Sequence, residues 1–283
     1  MILLTGGTGM LGSYLLLDLL KQGQQIIAAK RPQSTLVTTK QVFDAYEEDG
    51  KQLFKSIKWV NVDLFSQEDI EQNLDGVSQI YHCAAYISAS GNNKDNLIKN
   101  NQIITENIVN ASLQKKIEKF CYVSSISALG NTQDKQLINE KTLWKPNKNY
   151  SSYSISKYYS EMEVWRGIAE GLNAVIVNPS VILGVGDWNK GSANLFKKIF
   201  DGLKFYTHGS SGFVNAKDVS LIMIKLMQDN STFKQNYIVS AENLDFKILF
   251  DKMAKALSVK APFIYAKPFL TQLAWRIEWL KSV

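Results

Sequence analysis

The sequence predicts an α/β fold, a doubly wound parallel sheet with a small, interleaved C-terminal subdomain, and three observations carry that reading. Short apolar runs alternate with amphipathic stretches over the first 180 residues, a glycine-rich turn joins the first run to the first amphipathic stretch, and beyond residue 179 the alternation lapses. Taken in order, the apolar runs place strands near 2–5, 25–29, 57–62, 78–84, 119–124 and 174–178. Helical spacing of apolar residues places helices near 11–22, 41–54, 67–73, 94–114 and 152–171. Gly23 closes the first helix, Ser66 and Asp69 form a capping pair for the third, and Asp75-Gly76 ends it. A strand followed by a helix, repeated, needs crossovers, so the strands run parallel.

The core is expected over residues 1–180, with Gln235 to Ser240 adding a later strand, and residues 181–283 mainly forming the smaller subdomain. That subdomain contains a Gly/Asn loop from Gly184 to Gly191 and an aromatic helix pattern from Phe269 to Trp279. Phe269, Trp275 and Trp279 suit a core or an interface better than a ligand cage. The chain stops at Val283 inside that pattern, which leaves a truncated chain or an abbreviated lid as alternatives.

With 283 residues, 45% of them hydrophobic, the chain can bury a sizeable core. A net charge of +6 and a pI near 9.0 bring nucleic acid and membrane surfaces to mind, but Lys and Arg cluster only in pairs such as Lys115-Lys116 and Lys197-Lys198. A solvated basic surface is the expectation, with neither nucleic acid nor membrane as partner. Cys83 and Cys121 fall on adjacent strands without ligand or framework spacing, so they are expected as buried free thiols in a reducing cytoplasm. His82 and His208 are too far apart, and too poorly accompanied, to suggest a metal. No stretch reaches 18 uninterrupted apolar residues and no export signal opens the chain, so the expected location is cytoplasmic.

Two motifs carry the chemistry. The run Thr5-Gly6-Gly7-Thr8-Gly9-Met10-Leu11-Gly12 lies between the first strand and the first helix. Glycines at 6, 9 and 12 permit a tight turn, close approach of the backbone to a pyrophosphate, and close packing of helix on strand. The helix N-terminus adds open N–H donors and a positive dipole end, so a phosphate fits there without a metal. The second motif, Tyr153-Ser154-Ile155-Ser156-Lys157, sets a phenol and an ammonium four residues apart on one helix face. Sheets of this kind bind ligands at the carboxyl ends of their strands, and both motifs fall on that side, as does the pair Ser124-Ser125. Together they point to an oxidoreductase acting on a small molecule.

These residues resemble the short-chain dehydrogenase/reductase superfamily in its extended branch, the NAD-dependent epimerase/dehydratase family, and the resemblance covers nearly the whole chain. Its other carriers are Val62-Asp63-Leu64, His82-Cys83-Ala84-Ala85, Asn101 with Thr105 and Asn107, Ser124-Ser125 with Gly130, and Asn178-Pro179-Ser180. The resemblance implies a Rossmann-type core that binds NAD or NADP through the turn from Thr5 to Gly12, with Asp63, Leu64, Ala84, Ala85 and Pro179 also beside the cofactor. It makes Tyr153 the proton donor or acceptor, Lys157 its partner and the holder of the nicotinamide ribose, Ser125 the donor to the substrate oxygen, and Asn101 a support from its helix. Ser125 is preferred to Ser124 for its place five residues before Gly130. A phenol pKa near 10 lies about three units above working pH, so about 4 kcal/mol of differential stabilisation is needed, expected from Lys157 and an oxidised nicotinamide. The substrate wall is expected from Ile87, Ser88, Asn178, Trp188, Leu195 and Phe213, and relatives suggest a homodimer through the helices near 94–114 and 152–171.

The second strand ends in Ala28-Ala29-Lys30-Arg31-Pro32, where the ribose-binding acid of an NAD enzyme would stand. Lys30 and Arg31 suit the 2′-phosphate of NADP instead, so NADP(H) is favoured and NAD(H) remains possible. Sugar-nucleotide enzymes of the family carry an Arg-Asp pair just before the strand expected at Phe213 to Val219, where this chain has Ser211-Gly212. The expected function is therefore reduction of a carbonyl or oxidation of a secondary alcohol. A nucleotide-sugar epimerase or dehydratase is the first alternative. A non-catalytic NADP-binding regulatory or scaffold protein is the second.

Overall fold

The computed structural model describes residues 1–86, 94–130, 132, 137–148 and 150–266. The chain divides into two compact units, Met1–Gly186 with Val214–Ser240, and Asp187–Phe213 with Ala241–Val283.

The first unit opens with β1 (Ile2–Thr5), α1 (Met10–Lys21), β2 (Ile26–Lys30), α2 (Val37–Tyr46), α3 (Gly50–Lys55), β3 (Lys58–Asn61), α4 (Gln67–Gln72) and β4 (Gln79–His82). It continues through α5 (Lys94–Gln114), β5 (Lys119–Val123), α6 (Ser152–Ala169), β6 (Ala174–Pro179) and β7 (Val181–Leu183). The helix expected at 41–54 is thus two. Gly50 explains the break, because a Cβ there would stand 2.3 Å from the Phe43 carbonyl oxygen, a packing that periodicity does not reveal. Ser66 caps α4 by accepting from the Asp69 N–H, as its spacing suggested.

Later in the chain come α7 (Asn194–Phe200), β8 (Phe205–Tyr206), β9 (Ser210–Asn215), α8 (Ala216–Gln228), β10 (Asn236–Val239), β11 (Glu242–Asp245), α9 (Phe246–Ala256) and β12 (Ile264–Tyr265). The strand expected at Phe213 to Val219 ends at Asn215, whose side chain accepts from the Lys217 N–H and starts α8.

Seven strands form one sheet in the order β10-β6-β5-β4-β1-β2-β3, and each neighbouring pair is parallel. Successive strand residues face opposite layers, as the two-residue period requires. Ile2, Leu4, Ala28, Tyr81, Cys121, Val175 and Val177 pack with α1, α2 and α8, while Leu3, Ile27, Ile80, Phe120, Tyr122 and Ile176 pack with α4, α5 and α6. Burying one of these aliphatic side chains removes enough apolar surface to stabilise the fold by about 2 kcal/mol. Strand order reverses between β1 and β4, so the ends of those two strands bound the crevice in which such sheets take a ligand.

In the second unit β9 and β11 pair antiparallel, with Phe213 opposite Glu242, and β8 pairs in parallel with β12. Phe213 meets Phe246 edge to face and Phe246 meets Phe250 at a tilt, with centroids 6.0 and 5.9 Å apart, and Leu249, Met253 and Ala254 complete the buried face of α9.

Candidate active site

The glycine turn is shaped by packing at two positions and left open at a third. Gly6 has a φ of +75°, and a Cβ there would sit 2.6 Å from the Ala84 nitrogen, so the turn presses directly on the chain leaving β4. At Gly12 a Cβ would stand 2.2 Å from the Gly6 carbonyl oxygen, which is how closely α1 lies on the turn. Gly9, the residue from which α1 starts, would meet that oxygen only at 3.4 Å. Side chains satisfy the turn's carbonyls: Thr39 and Ser13 donate to Gly7 at 3.0 and 3.2 Å, and Ser13 to Gly9 at 2.6 Å. α1 has no side-chain cap and no acid in its first turn, so its leading N–H groups and positive dipole end face outward, a cradle that fits a pyrophosphate.

Beside this cradle the Thr5 hydroxyl meets His82 Nδ1 at 2.7 Å and accepts from the Ala84 N–H at 3.3 Å, joining the ends of β1 and β4 across the crevice. His82 is fully buried, and its pKa is lowered to about 3 by burial and then by the nearby Lys157 charge. At the end of β2 the Lys30 ammonium donates to Asn61 Oδ1 at 2.9 Å, while Arg31 is exposed. Asp63 takes the Phe65 N–H on its own carboxylate, and the Leu64 carbonyl accepts from Asn107. Pro179 ends β6. Of the two thiols, Cys121 is buried, while Cys83 is only half-buried because it lies just past β4.

α6 carries Tyr153 and Lys157. Ser151 starts the helix by accepting from the Ser154 N–H, which sets Tyr153 in the first turn and Lys157 in the second. Tyr153 is 48% exposed and stands close enough to Ser125 for that hydroxyl to act on its phenol. Burial of the phenol raises its pKa, and the Ser125 hydroxyl opposes that rise. The expectation that Lys157 makes Tyr153 acidic needs correction: in this structure the Lys157 ammonium is buried, donates to the Val123 carbonyl at 3.0 Å and stands 5.4 Å from the centre of the Tyr122 ring. Burial lowers its pKa to about 8, against the raising effects of Cys83 and Glu161.

Ser125 and Tyr153 are neighbours, and Lys157 reaches the chain two residues before Ser125. Ser124 points away, donating to buried Glu161 at 2.6 Å. Asn178, expected at the substrate, is fully buried, with its amide donating to the Ser125 carbonyl and to Glu161, so it holds the site from behind. Asn101 spends its amide on both backbone groups of Tyr86 and on the Leu97 carbonyl, which makes it a clamp on the chain after β4. In the second unit Phe213 is buried against Phe246, Trp188 packs edge-on to Phe200, and Leu195 is half-buried on α7. Ile87, Ser88, Phe269, Trp275 and Trp279 lie outside the described residues. Glu161 was missed in the sequence, although its place four residues after Lys157 puts it on the same helix face. Among the described residues no cluster of His, Cys, Asp and Glu could hold a metal ion, and no helix is long and apolar enough to cross a membrane.

A doubly wound parallel sheet with a glycine turn at its switch point is the framework of a dinucleotide-binding protein of the Rossmann class. The chain belongs to the NAD dependent epimerase/dehydratase family, whose model matches residues 2–240. It is 27% identical to a Synechocystis protein provisionally named dihydroflavonol 4-reductase, over 91% of this chain and 73% of that one. It is 26% identical to sterol demethylase protein B of Methylococcus capsulatus, over 95% and 78% of the two chains. The crystal structure of gox2253 superposes with a TM-score of 0.82 at 26% identity, covering 99% of this chain and 82% of that one. The UDP-glucose 4-epimerase of Thermus thermophilus in complex with NAD shares the fold, with a TM-score of 0.74, 19% identity and coverage of 94% and 87%. With relatives named as reductases and dehydrogenases, the protein is an NAD(P)-dependent oxidoreductase of that family.

Proposed function

We propose that the protein is an NADPH-dependent carbonyl reductase, working in reverse as a secondary-alcohol dehydrogenase, with Tyr153 as its acid and base. The observation that carries this reading is Tyr153 in the first turn of α6, within reach of the Ser125 hydroxyl, with buried Lys157 one helical turn further on. The cradle from Thr5 to Gly12 would hold the pyrophosphate, and the nicotinamide, when bound, supplies the hydride. Tyr153 gives its phenolic proton to the carbonyl oxygen while the Ser125 hydroxyl donates to that same oxygen, so the developing negative charge meets two prearranged donors. Lys157, mostly protonated below its pKa of about 8, would orient the ribose. Lys30 and Arg31, in a stretch from Ala28 to Pro32 that contains no acid, would pair with the 2′-phosphate of NADPH. The absence of an arginine at Ser211-Gly212 favours a substrate without a diphosphate.

The test is a parallel screen of NADPH oxidation and thermal shift with carbonyl compounds and with UDP-, GDP- and dTDP-sugars. Net NADPH consumption with a ketone or aldehyde is expected. Isomerisation of a nucleotide sugar without net consumption would replace the reductase by an epimerase.

A further inference from the structure

The carboxylate of Glu161 is buried, at 3% exposure, and has no part in the reaction proposed above. Three side-chain donors converge on it. Oε2 accepts from Ser124 Oγ at 2.6 Å and from Asn178 Nδ2 at 2.8 Å, and Oε1 accepts from Trp165 Nε1 at 3.1 Å. Ser124 follows β5 and Asn178 lies in β6, so one side chain of α6 is tied to the ends of two neighbouring strands. Asn178 extends the tie, because its Nδ2 also donates to the Ser125 carbonyl at 3.1 Å. The same helix carries Lys157 one turn earlier and Tyr153 two turns earlier.

A buried ionised group is a poor device for stability alone, since an apolar side chain of the same volume commonly does as well. What a carboxylate with only donors around it does supply is a single geometry, because each donor has one acceptor to find. Here that geometry spans the two elements whose side chains must meet, α6 with Tyr153 and the end of β5 with Ser125. We propose that Glu161 is a positioning residue that fixes Ser125 against Tyr153 by joining α6 to the ends of β5 and β6. The inference rests on the assignment of Tyr153 and Ser125 to the reaction, and its experiment separates the two.

Glu161→Gln keeps the shape but turns one acceptor into a donor facing donors. In the full-length chain, with NADPH and the carbonyl compound turned over fastest, kcat is expected to fall about tenfold or more while the NADPH Kd stays within about twofold. The phenol should titrate at higher pH, because the Ser125 hydroxyl that lowers its pKa is displaced. Ultraviolet difference titration against the same background carrying Tyr153→Phe isolates that phenol from Tyr122 and the other tyrosines. Glu161→Asp, which retains the charge, should lose less. An unchanged kcat and phenol titration in Glu161→Gln would overturn the proposal, as would a fall in melting temperature without a fall in kcat. Should Glu161→Gln not fold, Ser124→Ala removes one donor only and is expected to lower kcat about threefold, with no change again overturning it. If Tyr153→Phe alone keeps its turnover, the reaction assignment fails instead.

Discussion

The glycine turn after β1 and the group formed by Ser125 with Tyr153 and Lys157 of α6 are built by different means. The turn is backbone pressed on backbone, with side chains excluded at Gly6 and Gly12 and the N–H groups of α1 left facing out. The centre depends on side-chain hydrogen bonds, from Glu161 through Asn178 to the Ser125 carbonyl and from Lys157 to the Val123 carbonyl. The difference teaches where damage shows. A fault in the turn should appear first in folding or coenzyme binding, whereas a fault in the centre should appear in turnover.

The sharpest contrast comes from Tyr153→Phe. The ring stays and only the proton is lost, so turnover should fall more than about a hundredfold, above about 2.7 kcal/mol, with coenzyme affinity nearly unchanged. Retention of a tenth of wild-type kcat would remove Tyr153 as the acid and base.

Within the turn the two glycines should behave differently. Gly12→Ala forces a Cβ to 2.2 Å from the Gly6 oxygen and should cost about 2–4 kcal/mol in denaturant unfolding. Gly9→Ala has room and should cost under about 1 kcal/mol, yet weaken NADPH binding, measured by its fluorescence, about tenfold. Equal stability losses in the two variants would break the comparison.

His82 tests the seam between the regions by pH. Its folded pKa of about 3 lies below an unfolded value near 6.5, so only the unfolded chain takes up a proton as pH falls between them. Stability associated with the neutral ring is complete above about 6.5 and is lost downward, by about 2 kcal/mol at pH 5. Urea unfolding of wild type and His82→Asn from pH 7 to 5 should show a flatter slope in the variant. Parallel slopes would mean that His82 is not held neutral.

The smallest effect is expected at the end of β2. The double variant Lys30→Asp, Arg31→Ser should lose a preference for NADPH over NADH of about tenfold, and added salt should erode that preference in the wild type. Equal affinities for the two coenzymes in the wild type would dispose of the NADP assignment.

Much of this was legible in the sequence, because strands buried on both faces read as apolar runs and the glycine turn is local chemistry. The six expected strands of the core sheet, and a later one near 235–240, appear within a residue or two of their places. What escaped depends on contacts between elements distant in sequence. Glu161 reads as an ordinary helical acid until β5 and β6 bring Ser124 and Asn178 to it. Asn178 looked free for a substrate because nothing local shows that its amide is already spent. Lys157 was assigned to Tyr153 by helical spacing, but its ammonium donates to the Val123 carbonyl.

The seventh strand has a kinetic meaning. β6 ends at Pro179, and its outer partner β10 begins only at Asn236, after the chain has contributed residues 187–213 to the second unit. Until that return, the outer edge of β6 presents the row that later exchanges bonds such as Ile176 to Gln235 and Ser180 to Val239. A nascent chain therefore carries an unpaired sheet edge for as long as it takes to make about 60 more residues, several seconds at ordinary rates of synthesis. Docking of β10 is then a late, high-separation event, and the stretch from Ala174 to Pro179 is where aggregation during synthesis should begin.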